Sequence, residues 1–188
     1  MIGPVIGPAL DLPARPAPLV PHVRRLAVLR ANGLGDYVVA EPALAALRRA
    51  YPDAELTLLG AAHHQALLTG RPSPVDRVVV VPPVHGVRVK TDEPDASEDE
   101  IEAWAAQQRA YGYDLAVQVH GGGRNSNPFL LELGARHTVG TRTEDAAPLE
   151  RTVPYLYYQH EVLRALEVVG LAGACPVELE PRLRVTED

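Results

Sequence analysis

The chain has 188 residues, 46% of them hydrophobic, and a formal net charge of −6. That length and apolar content suit one domain with a real core and exclude a disordered chain. The acidic balance, without a basic run, excludes a nucleic-acid surface, because neutralising phosphates takes a basic face.

The first 22 residues, "MIGPVIGPALDLPARPAPLVPH", carry Pro4, Pro8, Pro13, Pro16, Pro18 and Pro21 and no basic start. Six prolines break any continuous helix, so residues 1–22 read as a flexible extension and not as a signal peptide. No stretch approaches the roughly 20 apolar residues of a membrane span. The lone Cys175 has no internal disulfide partner, and a reducing, cytoplasmic setting is expected.

From Arg24 onward, short β-rich runs alternate with helical segments, the pattern of a parallel sheet with crossover helices. "RLAVLR" (25–30) is a continuous apolar strand, followed by the glycine turn "ANGLGD" and a helix over 37–51, with Leu44, Leu47 and Tyr51 on one stripe. Pro42 predicts a break in that helix, with the proline near the first position of the resumed segment. "AELTLLG" (54–60) is the second strand, "AHHQALLTG" (62–70) a short helix and "DRVVVVPP" (76–83) the third strand. Residues 89–100 form an acidic exposed loop, and Ser97 with Glu100 is a capping box for the next helix.

"YDLAVQVH" (113–120) is the fourth strand and runs into "GGGRNSNP", where Asn127 and Pro128 predict an N-cap and a first helical position. "RHTVGT" (136–141) is a fifth strand. The last helix is expected over 155–170, with Leu156, Val162, Leu163, Leu166 and Val169 on its apolar face and Tyr155, Tyr157 and Tyr158 packing at its head. Residues 23–172 then make one Rossmann-like α/β domain, an open parallel sheet with helices on both faces, and 173–188 read as linker.

Two glycine loops carry the chemistry. "GLGDYV" lacks the third glycine of a dinucleotide fingerprint, since Val38 stands there, and the second strand ends in Leu59 and Gly60 without a ribose-binding acid. A nicotinamide oxidoreductase is therefore a minor alternative. The turn instead sets Asp36 at the C-terminal edge of a parallel sheet, where open α/β sheets bind ligands. Asp36 there is either a general base for a hydroxyl nucleophile or simply a helix N-cap. The second loop brings His120, Gly121, Gly122, Gly123, Arg124, Asn125 and Asn127 to the same edge. Its polar groups suit sugar hydroxyls or a phosphate. His63 and His64 lack metal-site spacing, and no metal is expected. His137 and His160 read as ordinary surface or core residues.

"LAVLRANGLGDYVVAEPALAALRRAYPDAELTLLG" resembles the opening of glycosyltransferase family 9, which includes the ADP-heptose:lipopolysaccharide heptosyltransferases. Arg30, Asn32, Gly35, Asp36, Pro42, Ala43 and Leu44 match its pattern in order. "YDLAVQVHGGGRNS" resembles its second landmark and "HEVLRALEVVGL" the helix before its interdomain linker. Tyr37, Glu41 and His120 with its three glycines depart from the family pattern.

The resemblance implies the acceptor half of a two-domain GT-B enzyme and an inverting transfer from a nucleotide sugar, ADP-heptose-like, to a hydroxyl of a sugar or glycolipid. It implies no metal or cofactor, with Asp36 as base and Arg30, Asn32, Gly33 and Gly35 around it. It also implies a position peripheral to the inner membrane face, a role in cell-envelope polysaccharide synthesis, and a donor-binding domain outside these residues, either encoded downstream or on a separate partner. The competing expectation is a non-catalytic sugar-binding or vestigial module.

Overall fold

The computed structural model describes residues 17–88 and 94–184. The strands are β1 (Arg25–Leu29), β2 (Glu55–Gly60), β3 (Arg77–Val80), β4 (Leu115–Gln118), β5 (His137–Arg142) and β6 (Arg151–Pro154). The helices are α1 (Leu34–Ala50), α2 (Ala62–Leu68), α3 (Glu98–Tyr111), α4 (Ser126–Leu131) and α5 (Glu161–Gly170). The strands form one sheet in the order β3-β2-β1-β4-β5-β6, every pairing parallel. This is the doubly wound Rossmann order, and it reverses between β1 and β4.

The continuous apolar runs become central strands because both sheet faces are covered. Leu26 and Val28 of β1 enter one core with Leu56, Leu58, Leu115 and Val117, under Leu44 and Leu47 of α1 and Leu166 and Val169 of α5. Ala27 and Leu29 face the other side, with Leu59 and Ala116, against Phe129 and Leu130 of α4 and Trp104 of α3. At about 25 cal/mol per Å² of apolar area, this two-sided burial is the main force holding the sheet. α3 starts at the expected capping box: Glu100 N–H donates to Ser97 Oγ at 3.3 Å, and Glu100 Oε2 accepts from Ser97 N–H at 2.8 Å.

Several expectations need correction. α1 runs unbroken through Pro42. The proline forgoes its own N–H bond and its ring crowds the carbonyl one turn back, although its fixed φ suits a helix; burial of residues 40–44 offsets that cost. α4 begins one residue before Asn127, with Asn125 at the N-cap, and Asn127 lies inside. A sixth strand, β6, follows β5. α5 starts at Glu161, not 155, because the Leu156, Tyr157 and Gln159 carbonyls accept from Arg164 Nη2 at 2.5, 3.3 and 3.1 Å instead of starting a helix. Tyr157, Tyr158, Leu156 and Leu163 are exposed, so they do not pack at a helix head or on the apolar face.

Of the Pro-rich extension, residues 1–16 lie outside the described residues, as do 89–93 of the acidic loop and 185–188 of the linker. Val20 is buried, and its N–H donates to Tyr51 Oη at 3.0 Å. In the segment read as linker, Arg182 N–H donates to Glu41 Oε2 at 2.9 Å, so this stretch lies against α1. No helix among the described residues is long and apolar enough to cross a membrane.

Candidate functional site

The strand order reverses between β1 and β4, so the turns that follow these strands diverge and open a crevice at the C-terminal sheet edge. The β1 turn is organised by Arg30, whose side chain is 6% exposed. Its Nε donates to the Asp36 carbonyl at 3.1 Å, Nη1 to the Val119 carbonyl at 2.5 Å and Nη2 to Asp36 Oδ1 at 2.8 Å. One buried guanidinium thus ties the β1 turn, the first turn of α1 and the end of β4 together.

Asp36 lies at the third position of α1, and its Oδ2 accepts from the N–H of the N-cap residue Gly33 at 3.0 Å. A carboxylate there offsets the helix N-terminal partial charge. Its side chain is nonetheless 40% exposed. Each carboxylate oxygen has two lone pairs, so both keep room for a further donor.

Two cavities lie along this edge. One, of about 630 Å³, is lined by Asn32, Gly33, Ala61, His63, Val87 and His120 among others. The other, of about 380 Å³, shares Asn32, Gly86 and His120 and adds Gly121, Gly122, Gly123, Arg124, Asn125 and Asp145. Asp36 lines neither, but Gly33, whose N–H it accepts, is part of the first wall. Gly35 is exposed on the first turn of α1, with open space around it.

His120 links the two turns. Its Nδ1 accepts from Ala31 N–H at 3.2 Å, which fixes the tautomer with the proton on Nε2, and the ring has a backbone hydrogen bond with Val87. Burial, then the nearby Arg30 charge, push its pKa down to about 4, so it is a neutral cross-link at pH 7. His64 behaves likewise: it is buried, its Nδ1 accepts from Ala61 N–H at 2.9 Å, and burial, then His63, lower its pKa to about 4. His63 Nε2 meets the Asn32 carbonyl at 2.9 Å.

The β4 turn turns its polarity inward. Gln118 Nε2 donates to Ser126 Oγ at 2.7 Å and to Asn127 Oδ1 at 3.0 Å. Asn127 Nδ2 donates to the carbonyls of Thr141 and Ala147 at 3.2 and 2.9 Å, and the residue is fully buried. Gly123, at φ +95°, is required by the same packing, since a Cβ there would meet Asn127 Nδ2 at 2.6 Å. Arg124 and Asn125 are exposed, with Arg124 Nε 3.5 Å from Asp145 Oδ2. Among the described residues, no group of three or more His, Cys, Asp or Glu side chains is arranged to hold a metal.

The structure therefore gathers Arg30, Asn32, Gly33, Asp36 and His120 around one junction and places Arg124 and Asn125 along the second cavity. Asn127 sits beneath that loop. Sequence reasoning missed the turn from Val84 to Arg88, closed by a bridge between those two residues. It also missed the reach of His63 and His64 back to the β1 turn, and Glu161. The signal for the histidines was available: they follow β2, and the C-termini of parallel strands share one edge.

No protein-family model matches the chain, and no curated protein matches it. Solved structures share its fold. A glycosyl transferase family 9 structure from Veillonella parvula is 19% identical at a TM-score of 0.68, covering 87% of this chain and 45% of that one. E. coli ADP-heptose lps heptosyltransferase II is 19% identical at a TM-score of 0.58, covering 87% and 47%. E. coli heptosyltransferase WaaC with ADP is 18% identical at 0.57, covering 84% and 50%. The chain spans about half the length of each.

Proposed function

We propose that the chain is the acceptor-side half of an inverting glycosyltransferase, and that Asp36 is its general base. One observation carries the reading: a carboxylate 40% exposed, gripped by a buried arginine, stands beside a cavity of about 630 Å³ at the sheet's switch point. In support, solved structures with this fold are glycosyltransferases, two of them E. coli heptosyltransferase WaaC with ADP and with ADP-2-deoxy-2-fluoro heptose.

The donor is a nucleotide sugar of the ADP-heptose kind, and the acceptor a sugar or glycolipid hydroxyl. Asp36 takes the hydroxyl proton as the oxygen attacks the anomeric carbon. The bond from that carbon to the diphosphate breaks, the pair leaves with the nucleoside diphosphate, and the configuration inverts. Arg30 orients the carboxylate. Asn32, Gly33 and Gly35, the loop from His120 to Asn125, and Asn127 beneath it shape the acceptor side. Residues 23–172 form this unit, and the segment after it docks against α1 through Arg182 and Glu41. The donor-binding domain of the GT-B architecture supplies what stabilises the leaving diphosphate. No cofactor takes part, and the work is done in the cytoplasm at the inner membrane face, in cell-envelope polysaccharide synthesis.

The test is a transfer and donor-hydrolysis assay of this chain, alone and with a candidate donor domain, against a panel of nucleotide sugars. Transfer that requires this chain supports the reading. Acceptor binding without turnover under any pairing identifies a sugar-binding module instead.

A further inference from the structure

Arg30 does not face Asp36 alone. Its Nη2 lies 2.8 Å from Asp36 Oδ1 and 3.5 Å from Glu161 Oε2, so one nitrogen serves two carboxylates from helices far apart in sequence. Glu161 is the first residue of α5, and its other oxygen, Oε1, accepts from Arg164 Nη1 one turn along. Arg164 is buried, donates to three carbonyls between Leu156 and Gln159, and lays its guanidinium 4.3 Å from the centre of the Tyr155 ring. Arg164 has little freedom to move, and Glu161 is anchored with it.

The charges alternate: Asp36, Arg30, Glu161, Arg164. Two carboxylates balance two buried guanidiniums. Removing the inner carboxylate leaves two buried cations and only Asp36 to answer them, and networks of this kind respond by rearranging rather than by losing one pairwise contact. Glu161 lines neither crevice cavity, so it does not belong to the acceptor site by contact.

We infer that Glu161 is a positioning residue for Asp36: it holds the shared Arg30 guanidinium in the one place from which Arg30 aims the Asp36 carboxylate. The catalytic consequence rests on the reading of Asp36 as base; the geometric one does not. Without Glu161, Arg30 keeps its Val119 and Asp36 partners, but Nη2 loses the second of its two carboxylates, and the Asp36 side chain shifts with it.

The Gly33 amide reports this directly, because its N–H donates to Asp36 Oδ2. In the whole chain, Glu161→Gln removes the charge while keeping the shape. Gly33 amide exchange is expected to rise roughly fivefold, as for the loss of one modest hydrogen bond. In an Asp36→Asn background the same substitution is expected to change that exchange little. No rise in Glu161→Gln overturns the inference, and so does an equal rise in the Asp36→Asn background. If Glu161→Gln fails to fold, Glu161→Asp, which keeps the charge but shortens the reach, carries the same test. In a transfer assay Glu161→Gln is expected to lower kcat roughly tenfold or more at unchanged acceptor KM, as misplacement of a reacting group does. A raised KM at constant kcat contradicts positioning. A wild-type chain that transfers nothing with any candidate donor domain refutes the base assignment and leaves the exchange result standing.

Discussion

The turn after β1 leaves its carboxylate 40% exposed, whereas the turn after β4 buries every polar side chain it carries except Arg124 and Asn125. Both stretches are glycine-rich and polar in sequence. In the first, Arg30 spends its donors on Asp36, Val119 and Glu161 and leaves the carboxylate open on one side. In the second, Gln118, Ser126, Asn127 and Thr141 satisfy one another and the Gly121 and His120 carbonyls. Polar density in a loop thus measures demand for hydrogen bonds, and only the partner list says whether any remain for a ligand.

The contrast can be broken from either side. Arg30→Met should cost most, about 3 kcal/mol in urea unfolding, because it strips buried carbonyl contacts and leaves Glu161 to Arg164 and Asp36 to the Gly33 amide. A cost below about 1 kcal/mol would mean that the β1 turn does not depend on its buried arginine.

Asn127→Ala should cost about 2 kcal/mol, since it removes a fully buried amide, takes one acceptor from the Gln118 amide and withdraws the donor from the Thr141 and Ala147 carbonyls. A variant as stable as wild type would show that the second loop is not a scaffold.

Acid probes both turns together. His64 and His120 have folded pKa values of about 4 against an ordinary 6.5, so the unfolded chain binds their protons first. Their contribution is full above pH 6.5 and drains away as pH falls towards 4. Glu41 works the other way, because burial raises its carboxyl and favours the folded, protonated form as pH drops. The two histidines together are expected to lose roughly 3–4 kcal/mol between pH 7 and pH 5, and Glu41 returns part of that. Unfolding midpoints independent of pH across that window would contradict neutral cross-linking histidines.

Arg124→Ala is the smallest change, less than about 0.5 kcal/mol, because its exposed pair with Asp145 contributes little. Its effect belongs in acceptor KM, and a stability loss above 1 kcal/mol would place Arg124 with the scaffold after all.

How much of this was legible depends on burial. The runs at 25–29, 55–60 and 115–118 announce strands because a sheet covered on both faces needs unbroken apolar residues. β6 reads "RTVP", an edge strand of four residues, none of them fully buried, and so carries no such signal. The start of α5 was hidden for the opposite reason: "YLYYQH" is apolar enough to continue a helix, but a buried arginine eight residues beyond Leu156 claims its carbonyls. In the site, Asp36 was visible from local spacing. Glu161 was not, because its link to Arg30 spans 131 positions. Asn127 was visible as a polar residue in the right loop, but nothing local tells that its amide is used up by Gln118, Thr141 and Ala147.

The central claim is that the exposed carboxylate of the β1 turn does chemistry. Its direct test is the single-turnover transfer rate of Asp36→Asn against wild type, each paired with the donor domain that supports transfer and corrected for folded fraction. The account predicts a fall of roughly 10²–10⁴-fold, the range for loss of a general base, with little change in unfolding midpoint. A rate within a factor of about three of wild type, from a folded variant, would contradict it.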